Sequence, residues 1–148
     1  MVALGSDHGG YKLKEVIKKH LDIKGIDYKD FGTFNEDSVD YPIYAQKVAN
    51  SILSGECEKG ILCCGTGIGI SIAANKIKGI RAAVCSDEFC AEMCRRHNDA
   101  NIISFGGRVI SEEKCLAMTD VFLNTEFEGG RHEKRVEQIK KIENGEEL

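Results

Sequence analysis

Short apolar runs alternate with longer amphipathic stretches along the whole chain. The short runs are bounded by glycine and polar residues and predict strands, while the stretches between them predict helices that cover a sheet. This alternation is typical of repeated strand–helix units, whose neighbouring strands run parallel. The predicted strands are residues 2–6, 26–31, 60–64, 80–85 and 101–105. The pattern therefore predicts one α/β domain, residues 1–148, with a five-stranded parallel sheet flanked by helices.

The amphipathic stretches carry recognisable signals for helix ends. The first stretch stops at Gly25, and glycine is a common residue just beyond a helix. Its inward face is predicted to be Leu13, Val16, Ile17 and Leu21. The second begins at Pro42, where a missing backbone N–H costs nothing. The predicted helices are residues 11–24, 42–55, 111–123 and 131–144, with shorter ones after the third and fourth strands.

The third predicted strand runs into a thiol and then into a turn of alternating glycines. Cys64 ends this strand, at the edge where open α/β sheets bind ligands. Gly65, Gly67 and Gly69 allow backbone N–H groups to point at a bound oxygen. The helix that follows adds the positive end of its dipole. The pattern predicts a nucleophile or base, Cys64, beside an anion site; the alternative is a buried thiol with glycines that only pack strand on helix.

Nucleotide motifs do not fit this turn. A dinucleotide fingerprint needs a third glycine, but Ile70 or Ile72 stands at that position. A Walker A loop needs a lysine directly after the glycines, and none follows before Lys76. The turn is therefore expected to hold a small oxyanion or phosphate.

Composition narrows the classes of partner and compartment. The formal net charge is -4, with no block of basic residues, which argues against nucleic acid and anionic membranes as partners. No apolar run is long enough to span a bilayer. The chain has seven cysteines, an odd number without a disulfide-framework spacing, which indicates a reducing compartment. We therefore expect a cytoplasmic protein with free thiols.

A zinc site is an alternative use of three of the polar residues. Cys90, Cys94 and His97 stand at i, i+4 and i+7, so they would share one face of a helix. No fourth ligand is evident, and the spacing lacks the Cys-x-x-Cys pairs of strong zinc sites. Buried free cysteines on a helix that meets the core explain the same pattern.

Further polar residues follow other predicted strands. Asp7 and His8 follow the first strand. Neither residue type is common at a buried sheet edge unless it has a functional role. Arg108 follows the fifth strand. Asp87 follows the fourth and is expected to cap the next helix.

Taken together, these motifs closely resemble the ribose-5-phosphate isomerase B family over essentially the whole chain. They are Ser6-Asp7-His8-Gly9-Gly10, Asp40-Tyr41-Pro42, Cys64-Gly65-Thr66-Gly67-Ile68-Gly69-Ile70-Ser71, His97-Asn98-Asp99 and Gly129-Gly130-Arg131-His132-Glu133-x-Arg135. The resemblance implies a Rossmann-like three-layer fold and a cofactor-independent aldose–ketose isomerase of the pentose phosphate pathway, with no metal. It also implies a homodimer, with the helix of residues 131–144 at its interface, and leaves a dimer of dimers open.

The resemblance also assigns roles to individual residues. Cys64 would be the base that moves a proton between C2 and C1 of the open-chain sugar phosphate; some relatives use a glutamate in the turn instead, but Ile70 stands there in this chain. Thr66 would assist proton movement between the two oxygens, and the turn from Gly65 through Gly67 and Ile68 to Gly69 would hold the enediolate. His97 with Asp7 would open the sugar ring, Asn98 and Tyr41 would position the substrate, and His8, Arg108, Arg131 and Arg135 would hold the phosphate. Each site would borrow residues from the partner chain.

Three alternatives remain open from the sequence. The substrate could be a hexose phosphate, because relatives act on galactose 6-phosphate and allose 6-phosphate. The chain could be a non-catalytic phosphosugar-binding module, although Cys64 and His97 are both present. Arg131 and Arg135 could also belong to a solvated helix face paired with Glu133 and Glu137, since such pairs are common on exposed helices.

Overall fold

A computed structural model describes all residues, 1–148, and shows five strands alternating with six helices. The strands are β1 (Val2–Ser6), β2 (Tyr28–Asp30), β3 (Lys59–Cys64), β4 (Ala82–Val84) and β5 (Ile102–Gly106). The helices are α1 (Tyr11–Lys24), α2 (Tyr41–Leu53), α3 (Ile68–Asn75), α4 (Glu88–Arg96), α5 (Glu112–Asn124) and α6 (Arg131–Glu143). The predicted order of elements is confirmed, and most boundaries agree within two residues.

The five strands form one parallel sheet in the order β2-β1-β3-β5-β4. The two outer strands, β2 and β4, have three residues each, which makes them shorter than the predicted residues 26–31 and 80–85. Each outer strand pairs on one side only, so its ends lack a second neighbour that would extend the ladder. The central strand β3 is buried except at its first residue, and it carries Cys64 at its end.

Helices cover both faces of the sheet and produce two apolar cores. Leu13, Ile17 and Leu21 of α1 pack with α5 on one face, while α2 and α3 pack on the other. Val16, predicted to face the sheet, is only half-buried, and Lys14 is fully buried instead. Because side chains alternate along a strand, the neighbours Cys63 and Cys64 belong to opposite cores.

Several helix ends follow the local chemistry of the sequence. The Asp87 carboxylate accepts a hydrogen bond from the Cys90 amide, so the predicted cap is confirmed. Helix α2 begins one residue before Pro42, which lies in its first turn. Gly67 precedes α3 with a φ of 79°, a conformation that favours glycine. No helix is both long enough and apolar enough to cross a membrane.

The parallel sheet has two chemically different edges. At the carboxyl edge, the strands end and the chain turns into α1, α3 and the loop after β5. At the amino edge, the strands begin and the helices α2 and α4 end. These two edges separate the polar residues of the sequence into two groups.

Candidate active site

The carboxyl edge brings together the residues that follow β1, β3 and β5. The Asp7 amide donates to the Cys63 carbonyl over 3.3 Å, which ties the turn after β1 to β3. The amide of Gly107 donates to the Cys64 carbonyl over 2.8 Å, and the Arg108 amide donates to the Gly65 carbonyl over 3.0 Å. Asp7, Cys64 and Arg108, far apart in sequence, therefore lie on one backbone framework.

Cys64 lies at the base of the glycine turn. Its thiol is buried, and its sulfur accepts a hydrogen bond from the Gly67 amide over 3.1 Å. The neighbouring Cys63 is fully buried in the opposite core, where burial raises its pKa well above the usual range. Only Cys64 of this adjacent pair faces the turn, so the structure separates a thiol suited to chemistry from one that remains protonated.

The turn is closely packed on both sides. A Cβ atom at Gly67 would lie 2.8 Å from the backbone carbon of Phe105. At Gly65 it would lie 2.9 Å from a guanidinium nitrogen of Arg108, so this side chain lies directly over the turn. A Cβ atom at Gly69 would lie 2.7 Å from the ring of Tyr41. Arg108 therefore packs against one end of the turn and Tyr41 against the other.

Thr66 and the start of α3 supply the polar groups of this turn. The Thr66 hydroxyl is exposed and accepts a hydrogen bond from the Ile68 amide over 3.2 Å. Ile68 itself is about half exposed. Amides in the first turn of a helix have no partner within the helix. The amides at the start of α3 are therefore suited to hold a negatively charged oxygen.

Asp7 and His8 form a second wall, next to a cleft of about 690 Å³ that extends along residues 38–43. The Asp7 carboxylate accepts a hydrogen bond from the Gly10 amide over 3.1 Å. The Val39 amide donates to Nδ1 of His8 over 3.1 Å. Because Nδ1 accepts this bond, the proton of a neutral His8 ring is carried by Nε2. His8 can therefore donate a hydrogen bond from Nε2.

A buried lysine, which sequence reasoning missed, fixes the loop that leads to this cleft. The ammonium of Lys14 donates to the Asp30 carboxylate and, over 2.6 Å, to the Thr33 carbonyl. Lys18 contacts the other carboxylate oxygen of Asp30 at 2.9 Å. Burial alone would raise the pKa of Asp30, but the hydrogen bonds from Lys14 and the Gly32 amide lower it below its ordinary value. The only sequence signal was a lysine between Leu13 and Ile17 on the inward face of α1.

The structure places His97, Asn98, Arg131 and Arg135 away from Cys64. His97 ends α4, and the Asn101 carbonyl accepts from the Gly60 amide at the beginning of β3. Cys64 is four positions beyond Gly60 along the strand, a distance of about 13 Å. His97 and Asn98 therefore lie at the amino edge, and one chain does not bring them to its own Cys64.

The segment with His97 and Asn98 is held by two arginines, another feature that sequence reasoning missed. Asp99 has a φ of 47°, and its carboxylate accepts hydrogen bonds from Arg81 and Arg95. Arg81 also donates to the carbonyls of Asn98 and Asp99. Arg95 is buried and donates to the Ala100 carbonyl over 2.7 Å. These bonds fix the backbone of a turn that ordinary propensity would disfavour.

Helix α6 presents two different faces at this edge. Arg131 and Arg135 are exposed, one helical turn apart, and make no ion pair within the chain. Neither arginine forms an ion pair with Glu133 or Glu137, and Glu137 contacts Lys140. His132 faces inward, and its ring stacks on that of His97. The guanidinium groups of both arginines are therefore available to bind an anion.

The donor atoms suited to a metal ion differ from the sequence alternative. Cys94 is buried and its thiol donates to the Ala91 carbonyl, whereas Cys90 is exposed, so these two thiols do not join His97 in one ligand set. The donor atoms of His97, Glu128 and His132 do lie within 4.8 Å of one another. The two rings are nearly parallel, with 14° between their planes, so their nitrogen lone pairs do not converge on one point. This geometry favours stacking over metal binding.

The α/β fold places the Cys64 thiol beside a glycine turn that is suited to bind an anion, and comparisons with known proteins identify the class of protein. The family described as Ribose/Galactose Isomerase matches residues 2–139. The chain belongs to this family. It is 49% identical over 142 residues to ribose-5-phosphate isomerase B of Escherichia coli, covering 96% of this chain and 95% of that protein. It is 42% identical to ribose-5-P isomerase B of Listeria innocua, with 96% of each chain covered.

Solved structures of relatives share the fold. The Clostridium thermocellum ribose-5-phosphate isomerase B superposes with a TM-score of 0.96 at 52% identity, covering 97% of both chains. The Mycoplasma genitalium ribose-5-phosphate isomerase B, solved with bound ribulose-5-phosphate, has a TM-score of 0.91 at 36% identity and covers 97% of this chain and 95% of that one. The predicted Rossmann-like fold and the predicted resemblance are both confirmed.

Proposed function

We propose that the chain interconverts D-ribose 5-phosphate and D-ribulose 5-phosphate through an enediolate, with Cys64 as the base. The relatives named as ribose-5-phosphate isomerase B support this substrate, as does the ribulose-5-phosphate bound to the Mycoplasma genitalium protein. The observation that carries the proposal is the position of the buried Cys64 sulfur at the base of the glycine turn, where it accepts a hydrogen bond from the Gly67 amide over 3.1 Å. In this role the enzyme would serve the pentose phosphate pathway in the cytoplasm.

The chemistry of the turn matches the demands of an aldose–ketose shift. The reaction needs a base beside an acidic C–H and donors for the enediolate oxygen. Cys64 would take the proton from one carbon and return it to the next. Amides between Gly65 and Gly69 would hold the oxygen that gains negative charge, and the exposed Thr66 hydroxyl would pass a proton between the two oxygens.

The phosphate and the sugar ring require charges and a further acid–base group. His8 can donate from Nε2, and the Arg108 guanidinium lies over Gly65, so both would contact the substrate from the chain that holds Cys64. Tyr41, beside Gly69, would position the sugar. Asp7 would assist ring opening from the same side.

We assign the remaining groups to a second copy of the chain. His97 and Asn98 lie at the amino edge, about 13 Å from Cys64 along β3. Helix α6, which carries Arg131 and Arg135, contacts His97 through the His132 ring. In a two-fold homodimer the amino edge of one chain can face the carboxyl edge of the other, and each pairing completes one site. Helix α6 then lies at the interface, with Arg131 and Arg135 on the phosphate and His97 on the ring oxygen. Two such dimers could associate further through other surfaces.

A panel of substrates tests the function. We expect the purified protein to isomerise ribose 5-phosphate with a kcat/KM at least about tenfold above the values for allose 6-phosphate and galactose 6-phosphate, because one extra carbon displaces the phosphate from its donors. Activity should survive dialysis against a chelator. A preference for a hexose phosphate would correct the substrate, and binding of all three sugars without turnover would identify a phosphosugar-binding module.

A further inference from the structure

Two imidazole rings meet at the amino edge of the sheet. His97 ends α4, and His132 lies in the first turn of α6. Their ring centroids are 4.1 Å apart and their planes differ by 14°. His97 is half-buried, and its ring makes no hydrogen bond within the chain. This pair, here called the histidine stack, is therefore the contact that fixes the plane of the His97 ring.

His132 occupies a position at which ordinary packing would favour an apolar residue. The residue is 7% exposed, and its Nε2 is buried without a hydrogen-bond partner. The nearest carboxylate oxygen, on Glu128, is 4.0 Å away. Burying an unpaired polar nitrogen costs free energy that leucine or phenylalanine would not cost. A native position with this cost requires an explanation beyond packing.

The charges around the stack favour a neutral His132. Burial lowers the pKa of His132, and positive charge on His97, Arg131 and Arg135 lowers it further, while Glu128 opposes the effect. The His132 ring therefore presents a neutral aromatic face to His97 near pH 7. Such a face stacks on a neutral imidazole and also on a protonated one. The contact persists through a proton-transfer cycle of His97.

We propose that His132 is a positioning residue, whose ring holds the His97 imidazole in the orientation needed to open the sugar ring. The inference rests on the proposed function, in which His97 exchanges a proton with the ring oxygen. A general acid must lie within hydrogen-bond reach of its target, and an imidazole that turns about its side-chain bonds moves its nitrogens out of reach. The stack fixes the ring by its face and leaves its nitrogen-bearing edge open to substrate.

Replacing His132 with Leu or Phe separates the stacking contact from burial. His132→Leu keeps an apolar side chain but removes the flat ring, whereas His132→Phe keeps a flat ring without nitrogens. With ribose 5-phosphate, we expect His132→Leu to lose about tenfold to a hundredfold in kcat. We expect His132→Phe to stay within about threefold of the wild type. His20→Leu is the matched control and should stay near wild type, because it removes a histidine of α1 that pairs with Asp120 of α5.

A substrate that needs no ring opening identifies the step. Erythrose 4-phosphate cannot close a furanose, so His132→Leu should lose less than about twofold with it. Equal losses on both substrates would show a general structural defect and overturn the inference. If His132→Leu does not fold, His132→Gln takes its place, since it too removes the ring.

Two further measurements distinguish a failure of this inference from a failure of the proposed function. The His97 ring protons should shift in the proton NMR spectrum when the facing ring is removed in His132→Leu and should remain near their wild-type positions in His132→Phe. Unchanged shifts in His132→Leu would overturn the stack in solution. A His97→Asn variant that loses equally on both substrates would overturn the role of His97 itself. If His97→Asn distinguishes the two substrates and His132→Leu does not, only the positioning role fails.

Discussion

Two adjacent cysteines show how position alone separates one thiol from another. Cys63 and Cys64 share a strand, but successive side chains point to opposite faces. Cys63 lies in the core under α1 and α5, where burial raises its pKa. Cys64 meets the Gly67 amide at the anion-binding turn. Two cysteines that are adjacent in sequence thus become one residue of the core and one proposed base.

Replacing each cysteine in turn tests this separation. We expect Cys64→Ala to lower kcat for ribose 5-phosphate by about a thousandfold or more, because the base for the C–H step is removed. Binding of the sugar phosphate, measured by calorimetry, should be nearly unchanged. Cys63→Ala is the control: it should cost roughly 1 kcal/mol in the free energy of unfolding but leave kcat within about twofold. Near-normal turnover by Cys64→Ala would exclude it as the base.

At the scale of elements, the loop between β2 and α2 depends on a single buried lysine. Lys14 joins Asp30 at the end of β2 to the Thr33 carbonyl, and the loop continues to Val39, whose amide holds His8. Helix α1 therefore positions one wall of the cleft beside His8. A loop anchored in this way can present His8 and Tyr41 in one arrangement before substrate binds.

Lys14→Met should destabilise the fold and weaken substrate binding. Removing one partner of a buried ion pair leaves Asp30 with Lys18 alone, and we expect a loss of roughly 3 kcal/mol in urea unfolding at pH 7. We also expect a severalfold rise in KM. Lys18→Met is the matched control, since it removes a more exposed partner of the same carboxylate and should cost less than about 1 kcal/mol. Equal losses in the two variants would contradict the anchoring role.

The difference in stability between the wild type and Lys14→Met is expected to decrease at low pH. The pKa of Asp30 lies below its ordinary value of 3.8 in the folded protein. Its ionised form therefore stabilises the fold fully above that value, and the stabilisation is lost as pH falls through the folded pKa. The gap in stability between wild type and Lys14→Met should narrow as the pH is lowered from 5 toward 3. A constant gap over this range would show that the Asp30 carboxylate is not the partner that matters.

Elements were more predictable from sequence than their ends or their buried polar contacts. The helix of residues 11–24 and the cap at Asp87 are confirmed because their signals are local: apolar spacing, a following glycine and a capping carboxylate. The two outer strands were predicted too long, since their length depends on the pairing order of the sheet. Lys14 escaped prediction because its partners, Asp30 and Thr33, are distant in sequence.

At the scale of the whole molecule, the candidate site is divided between the two edges of the sheet. The sequence predicted Asp7, Cys64 and Arg108 at strand ends, and the parallel sheet brings these three to one edge. His97 was not assigned to an edge from the sequence, although a helix that connects two parallel strands runs back along the sheet and ends at its amino edge. A single chain therefore holds the predicted site residues in two groups that do not meet.

Mixing two inactive variants tests the division between chains. Cys64→Ala and Arg135→Ala remove groups from opposite edges, so a heterodimer has one site with both defects and one site with neither. With random subunit exchange, about a quarter of the original sites should regain activity. Exchange and folding are first established by mass spectrometry and circular dichroism.

The matched control pairs two defects at the same edge. Arg108 lies over Gly65 beside Cys64, so a mixture of Cys64→Ala and Arg108→Ala should show no activity above the mean of its components. Recovery in this second mixture, or no recovery in the first after proven exchange, would contradict the assignment of the edges to separate chains.

The opposite placement of His97 and Cys64 has a consequence for enzyme output in the cell. If each catalytic centre needs one edge from each of two chains, a newly synthesised chain is inactive until it pairs with another. At low expression, output then rises with the square of chain concentration, and it becomes proportional to concentration only when nearly all chains are paired. The activity obtained from a given amount of chain would therefore depend on the dissociation constant of the dimer.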